Sequence, residues 1–330
     1  MYAGASLGIS IGVMAHDNSQ SKYVAEKRAE CPALRGVGGE RSKFRLPDDV
    51  ATAGGAPGAA ADPHPQFLYH GGAVVLDPCV FAMFVGDWSS AANKARSDRL
   101  TQYLKDLVVS SYMNILSQYG CGTAGSFIGL AFVPNTDHNM SEQDIHKLIQ
   151  SAINAGSIPE PANHNNCYIV FFDDATGVKD RGLKIVMCEA KSDNAFGYHN
   201  VFTTAAGNPC NYAIIPGLSN ACLTETCHGS ATCSLHPTQT QEQRQTQVTS
   251  HEFSEMISNP KGDAWFDGSD GEENGDLCNG IPGTITVSGR TWTVQRMYSK
   301  TDDVQSHGGN ICVLPPIHPL APLLPNVARL

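Results

Sequence analysis

The sequence predicts an α/β domain, a sheet of short apolar strands covered by helices. Two observations carry this. Apolar runs of strand length alternate along the chain with segments whose apolar residues recur at i, i+3, i+4 and i+7. The chain also has 330 residues, 41% of them hydrophobic, enough to bury a sizeable core. Strands that alternate with helices place the helices on the faces of the sheet.

The elements follow in order. Residues 73–86, "AVVLDPCVFAMFVG", read as one or two strands interrupted at Asp77-Pro78. Residues 93–119 carry a helical stripe of Leu100, Leu104, Leu107, Val108, Ile115 and Leu116. "SFIGLAFV" (126–133) has strand length. In 141–155, Ser141 and Asp144 resemble a capping box, Ile145, Leu148, Ile149, Ala152 and Ile153 share one face, and Gly156 ends the helix. "CYIVFF" (167–172), "LKIVMCEA" (183–190) and "NYAIIPG" (211–217) read as strands, and a second long helix spans about 238–258.

Both ends differ from this pattern. "LGISIGVMA" is a short apolar run before Val13-Met14-Ala15, which fits a signal peptide over 1–15 but lacks the basic flank; an ordinary flexible N-terminus is the alternative. Residues 16–66 read as a flexible leader or pro-segment, since 35–66 are rich in Gly, Ala and Pro, and the fold is expected to begin at Phe67. The tail 314–330 is too rich in Pro for a helix. The domain is expected over 67–313.

Only 16% of residues are charged, and the net charge is −10. No basic stripe exists to neutralise phosphates, so nucleic acid is not an expected partner. No run of about 18 apolar residues occurs, so no membrane span is expected. Of eleven cysteines, Cys210, Cys222, Cys227 and Cys233 crowd together without a Cys-x-x-Cys pair. A disulfide-stapled loop and an oxidising compartment follow as expectations. The odd count leaves a thiol free, with Cys31 the candidate. Cys278 and Cys312 are placed to tie a loop to the C-terminal strand. Asn139-Met140-Ser141 is a glycosylation sequon of low information.

The chemistry concentrates in "TSHEFSEMISNP", 249–260. On a helix, His251 and Glu255 lie about 40° apart and one turn apart, with Glu252 about 100° round from His251. Phe253 and Ile257 point the other way, toward the sheet, and Asn259-Pro260 stops the helix. Two metal ligands one turn apart, with a carboxylate beside the first to take a proton from water, match the arrangement of zinc hydrolases. Glu in place of the second His still binds zinc, but it lowers the ion's acidity and admits Mn2+ or Ca2+. A third ligand would come from the acidic return loop "GDAWFDGSDGEENGDLCNG" (262–280), which holds Asp263, Asp267, Asp270, Glu272, Glu273 and Asp276. The competing readings are an exposed helix with ordinary acids, and a solvated or calcium-binding loop. No Gly-x-Ser-x-Gly elbow, Walker loop or dinucleotide fingerprint occurs.

The run "HEFSEMISNP…AWFDGSDGEENGDLC" resembles the signature of the phosphate-induced protein 1, or EXORDIUM-like, family, as do "YHGGAVV", "FVGDWSS", "MSEQDIHKLIQSAI" and "FGYHNVF" in the same order. The likeness covers roughly 67–313. It departs from the plant pattern in the extra Cys around 222–233 and in the Gln/Thr-rich approach to the helix.

The resemblance implies a secreted or cell-wall protein. With the His-Glu-x-x-Glu stretch it implies a zincin-like central mixed sheet, flanking helices and an active-site helix. The expected function is a secreted zinc metallopeptidase acting on a peptide or cell-wall substrate. Its expected metal ligands are His251 and Glu255 with Glu273 or Asp276, and Glu252 is the expected base. His199 is a further ligand, a transition-state donor or a core histidine. His70 is a strand-end residue that could face the site, and Tyr298 a candidate oxyanion donor. The alternative is a non-catalytic extracellular protein with a structural metal, acting through carbohydrate or protein contacts.

Overall fold

The structure, a computed structural model, describes residues 23–24, 42–43, 64, 66–162, 165–180, 185–187, 195–227, 235, 238–306 and 311–314. The expected signal peptide, most of the leader, Cys31, Cys233 and the tail beyond 314 lie outside the described residues.

The fold is mixed α/β. Its central strands are β1 (Cys79–Val85), β2 (Ser126–Val133), β3 (Asn166–Phe172), β4 (Tyr198–Thr203) and β5 (Pro209–Ile215). They lie side by side in the order β2-β1-β3-β5-β4. The first four run parallel, and β4 joins antiparallel to β5. Two short stretches within the expected leader, Tyr23–Val24 and Ser42–Lys43, pair antiparallel on the two outer edges.

Period-2 alternation builds two cores, one per face. Val80, Ala82, Phe84, Ile169, Phe171, Ala213 and Ile215 point to one face, toward helices α1 (Ala91–Leu107) and α4 (Gln241–Ser258), the latter preceded in sequence by the short helix α3 (Asn220–Cys227). Phe81, Met83, Tyr168, Val170, Tyr212 and Ile214 point to the other, toward helix α2 (Glu142–Asn154). Their central strands are buried on both faces, as parallel strands sandwiched by helices are.

Helix α2 forms as its sequence predicts. Ser141 and Asp144 complete the capping box, and Gly156 takes a left-handed φ of 70° just past the end. The helix expected over 93–119 breaks instead. α1 ends at Leu107, and Ser111–Tyr119 continues as a tighter helix. The Ser110 hydroxyl bonds the Leu107 carbonyl at 2.7 Å, closing α1 locally between two β-branched valines and a second serine. Residues 73–78 form no strand; the strand of this stretch begins at Cys79, after Asp77-Pro78. Of "LKIVMCEA" the described residues 185–187 include the strand Ile185–Val186, in a small separate sheet.

α4 is the axis of the site. Thr240 and Gln243 make its capping box, so the Gln/Thr-rich approach is the helix start. From Arg244 to Ser258 every residue is buried, polar ones included. Phe253 and Ile257 pack in the core as expected. Tyr103 and Tyr112 donate to the Thr246 and Ser250 carbonyls at 2.9 and 3.2 Å and fix the helix against its neighbours. At its end, the Asn259 side chain accepts from the Ala264 N–H at 2.6 Å and turns the chain back. The return brings Trp265–Asp267 against Phe67–Tyr69 as an antiparallel pair. Cys278 and Cys312 are disulfide-bonded, with Cα atoms 5.6 Å apart, and tie the return loop to the C-terminal strand Cys312–Val313.

Cys79 and Cys222 each take part in a further disulfide, not with one another. Cys210 corrects the expectation of a four-cysteine staple. It is a free, buried thiol, as are Cys121 and Cys167. It lies near Cys222 in sequence, but its place on β5 directs its side chain into the core on the α2 face. Among the described residues no helix is long and apolar enough to cross a membrane.

Candidate metal centre

Six groups converge where α4, β4 and the return loop meet. α4 supplies His251, Glu252 and Glu255 from one face, and the loop supplies Glu273 and Asp276. β4 supplies His199, whose neighbours Tyr198 and Asn200 turn to the opposite face of the sheet. Two glycines permit the approach. A Cβ on Gly275 would lie 2.5 Å from Glu255 Oε1, and one on Gly197 would lie 2.9 Å from Glu252 Oε1.

The groups sort into two donor sets that share one residue. In the first, His251 Nε2 lies 3.1 Å from Glu255 Oε1 and 3.7 Å from Asp276 Oδ1. In the second, His199 Nδ1 lies 3.5 Å from both Glu252 Oε2 and Glu255 Oε2. Its other nitrogen, Nε2, lies 3.8 Å from Glu273 Oε2. The ligand atoms within each set lie within 4.8 Å of one another, so either could hold a metal ion. Glu255 offers one oxygen to each.

The donors suit a cation. Buried polar groups normally find hydrogen-bond partners. Here both oxygens of Glu252, both of Glu273, Glu255 Oε2 and His199 Nδ1 are buried without one. His199, His251, Glu252, Glu255 and Glu273 are at most 2% exposed, and only the Asp276 side chain, at 13%, meets solvent.

Burial works against charge throughout the cluster, and the charges work on one another. Burial pulls His199 down, but Glu273, Glu252 and Glu255 hold its imidazole pKa well above the usual range. Burial opposes the charge on His251 too, yet Glu255 above all raises it to about 9. Burial likewise disfavours the Glu255 carboxylate, but His251 and His199 hold it down to about 2. Glu252 is raised by burial against the pull of the histidines. Glu273 and Asp276 are raised further, by burial and by the charge on Glu255.

Gln295, at the end of strand Arg290–Gln295, had no signal in the sequence. Its amide nitrogen donates to the Gly275 carbonyl at 2.8 Å, and its oxygen accepts from the Gly280 N–H at 3.1 Å. The same nitrogen meets His251 Nδ1 at 2.7 Å. In the neutral ring Nδ1 is then the acceptor, and the proton lies on Nε2 toward Glu255. A cation on Nε2 takes that proton's place and requires the Gln295 amide to turn over.

Of the other candidates, Asp267 turns back on Ser269, bonding its hydroxyl at 2.5 Å, and Asp270 accepts from the Glu272 N–H at 3.1 Å. His70 stacks on Phe266 at 3.7 Å between ring centroids and bonds its carbonyl, the strand-end role. Tyr298 donates its hydroxyl to Asp303 at 2.6 Å, which occupies the group an oxyanion donor would need. A cavity of about 340 Å³ lined by residues such as His138, Asp174, Leu218 and Cys222 shares no residue with the six.

Compared with family models, with curated proteins and with solved structures, the chain matches none. The EXORDIUM-like resemblance is carried by the quoted motifs alone.

Proposed function

We propose that this chain is a zinc-dependent hydrolase of zincin-like architecture, secreted and acting on peptide bonds. The observation that carries the reading is the convergence of His251, Glu255 and Asp276 beside Glu252. All four are held by one buried helix and the loop that returns to it. Asp276, rather than Glu273, is the third ligand, because it faces His251 while Glu273 faces His199. This triad is also the one that reaches solvent, as a centre with an open coordination position requires. The antiparallel β4, beside the helix and one strand in from the edge pair Ser42–Lys43, supports the zincin-like comparison.

A divalent cation there supplies a Lewis acid and lowers the pKa of a bound water. Glu252 is the base: burial holds its carboxyl above the ordinary range, which favours taking up a proton at Oε2. His199 Nδ1, 3.5 Å from that oxygen, positions the carboxylate and balances its charge. With four carboxylates around it, the centre also accepts Mn2+ or Ca2+ more readily than a His-rich site.

A second reading rests on burial. With five of six groups closed off, the ion would be structural in a non-catalytic extracellular protein that binds carbohydrate or protein. Metal content of wild type and His251→Ala, purified without added metal or chelator, tests the shared premise. The expected result is about one or more zinc per chain, reduced in the variant. No metal in folded wild type overturns both readings. Glu252→Gln then separates them, since peptidase activity on a protein substrate should fall at least about 100-fold with the ion on His251, Glu255 and Asp276 retained.

A further inference from the structure

We propose that the centre is built for two divalent cations bridged by Glu255, an inference that rests on the metal-centre reading above. The first position is His251 Nε2, Glu255 Oε1 and Asp276 Oδ1; the second is His199 Nδ1, Glu252 Oε2 and Glu255 Oε2.

Three observations carry it. Glu255 directs one oxygen into each donor set, at 3.1 Å from His251 and 3.5 Å from His199. A carboxylate so placed bridges ions roughly 3.5–4 Å apart, the spacing of two-metal sites. The second set is the one whose ligand atoms are all buried without hydrogen bonds: His199 Nδ1, Glu252 Oε2 and Glu255 Oε2. An ion there requires no turnover of a neighbouring amide, unlike the ion on His251. Its histidine also has the outer partner that metal-bound histidines use, because Nε2 faces the carboxylate of Glu273 at 3.8 Å.

Charge argues the same way. With the histidines neutral, as ligands must be, and the four carboxyls ionised, one divalent ion leaves an excess of negative charge in a largely buried site. A second ion cancels it, and uncompensated buried charge is costly.

The position has a consequence for the reaction. An ion on Glu252 Oε2 occupies the atom assigned to proton uptake. The singly loaded protein is then the active form, and the second ion turns it off. Ligand type suits zinc or manganese in the second position, one imidazole with two carboxylates.

The test is metal stoichiometry by elemental analysis after dialysis against excess Zn2+, on the full chain. The expected result is about two zinc ions per chain in wild type and about one in His199→Ala, with the circular dichroism unchanged. Should His199→Ala misfold, electron paramagnetic resonance of wild type loaded with Mn2+ decides, since a bridged pair gives an exchange-coupled signal. A single zinc per wild-type chain, or an isolated-ion Mn2+ signal, overturns the second position and leaves the single-ion centre standing. No bound metal overturns both.

Discussion

Two buried acidic clusters lie back to back across strand β4, and the chain treats them differently. On the α2 face, Glu142 accepts from Tyr198 at 2.7 Å, from Asn200 at 2.6 Å and from Tyr212, with His146 at 3.4 Å. On the α4 face, no oxygen of Glu252 or Glu273 has a hydrogen-bond partner at ordinary geometry. The alternation of one strand feeds both, Tyr198 and Asn200 to one side and His199 to the other. A buried carboxylate surrounded by donors needs nothing more, and it is part of the scaffold. Buried carboxylates gathered without donors are costly as they stand, and a bound cation offsets that cost. The contrast sets a hydrogen-bonded acid apart from unsatisfied ones without appeal to any relative.

The largest expected effect comes from removing the proposed cation. A ligand present at about 1,000 times its Kd stabilises a fold by about 4 kcal/mol. Chelation should therefore lower the melting temperature of wild type by several degrees, read by calorimetry before and after dialysis against a chelator. The Glu142→Gln variant should lose as much again on chelation as wild type does, because its change lies on the other face. An unchanged melting temperature in chelated wild type would erase the distinction between the clusters.

The Glu142 side gives the next effect. Burial works against its charge, but His146, Tyr212 and Tyr198 hold its carboxyl down to about 2. A carboxyl with a lowered folded pKa contributes stability that is present above the unfolded value, near 4.5, and is lost as pH falls toward 2. The shift corresponds to stabilisation on the order of 3 kcal/mol at neutral pH. Glu142→Gln should be destabilised by a comparable amount at pH 7, and the gap from wild type should close between about pH 4.5 and 2. Urea unfolding at several pH values reads it. A gap that does not depend on pH would mean that Glu142 acts by shape alone.

How much of this was legible from the sequence follows from how local each feature is. Helix α2 declared itself through Ser141, Asp144 and Gly156, which act within a few residues. The α4 donors were legible for the same reason, since His251, Glu252 and Glu255 need only a helix. Asp276 and Glu273 were legible as a pair because the chain turns back directly after Asn259-Pro260, but choosing between them needed the loop's path. His199 entered by resemblance, and its partners across the sheet edge could not be read from any local pattern. Gln295 and Gly275 left no signal, since their roles exist only where a strand end and a loop meet the helix. Cys210 misled because nearness in sequence is not nearness in space, as its burial in the sheet shows.

The smallest effect is the sharpest test of the comparison, because its sign should reverse. Burial raises the Glu273 carboxyl well above its ordinary value, and Glu255 adds to that. A raised folded pKa means that metal-free protein loses stability as pH rises above the unfolded value, since the buried group must either lose its proton beside other carboxylates or keep it against the solvent's preference. Gln in its place cannot ionise. Metal-free Glu273→Gln should therefore be as stable as wild type near pH 4, and more stable by on the order of 1 kcal/mol at pH 8. Glu142→Gln should be the less stable variant at both. Restoring zinc should then cancel the gain, because the carboxylate that Glu273 holds toward His199 supports a metal-bound imidazole and the amide does not. Equal pH slopes for the two variants in chelated protein would mean that the α4 cluster is as well satisfied as the Glu142 cluster, and the case for a cation there would fall with it.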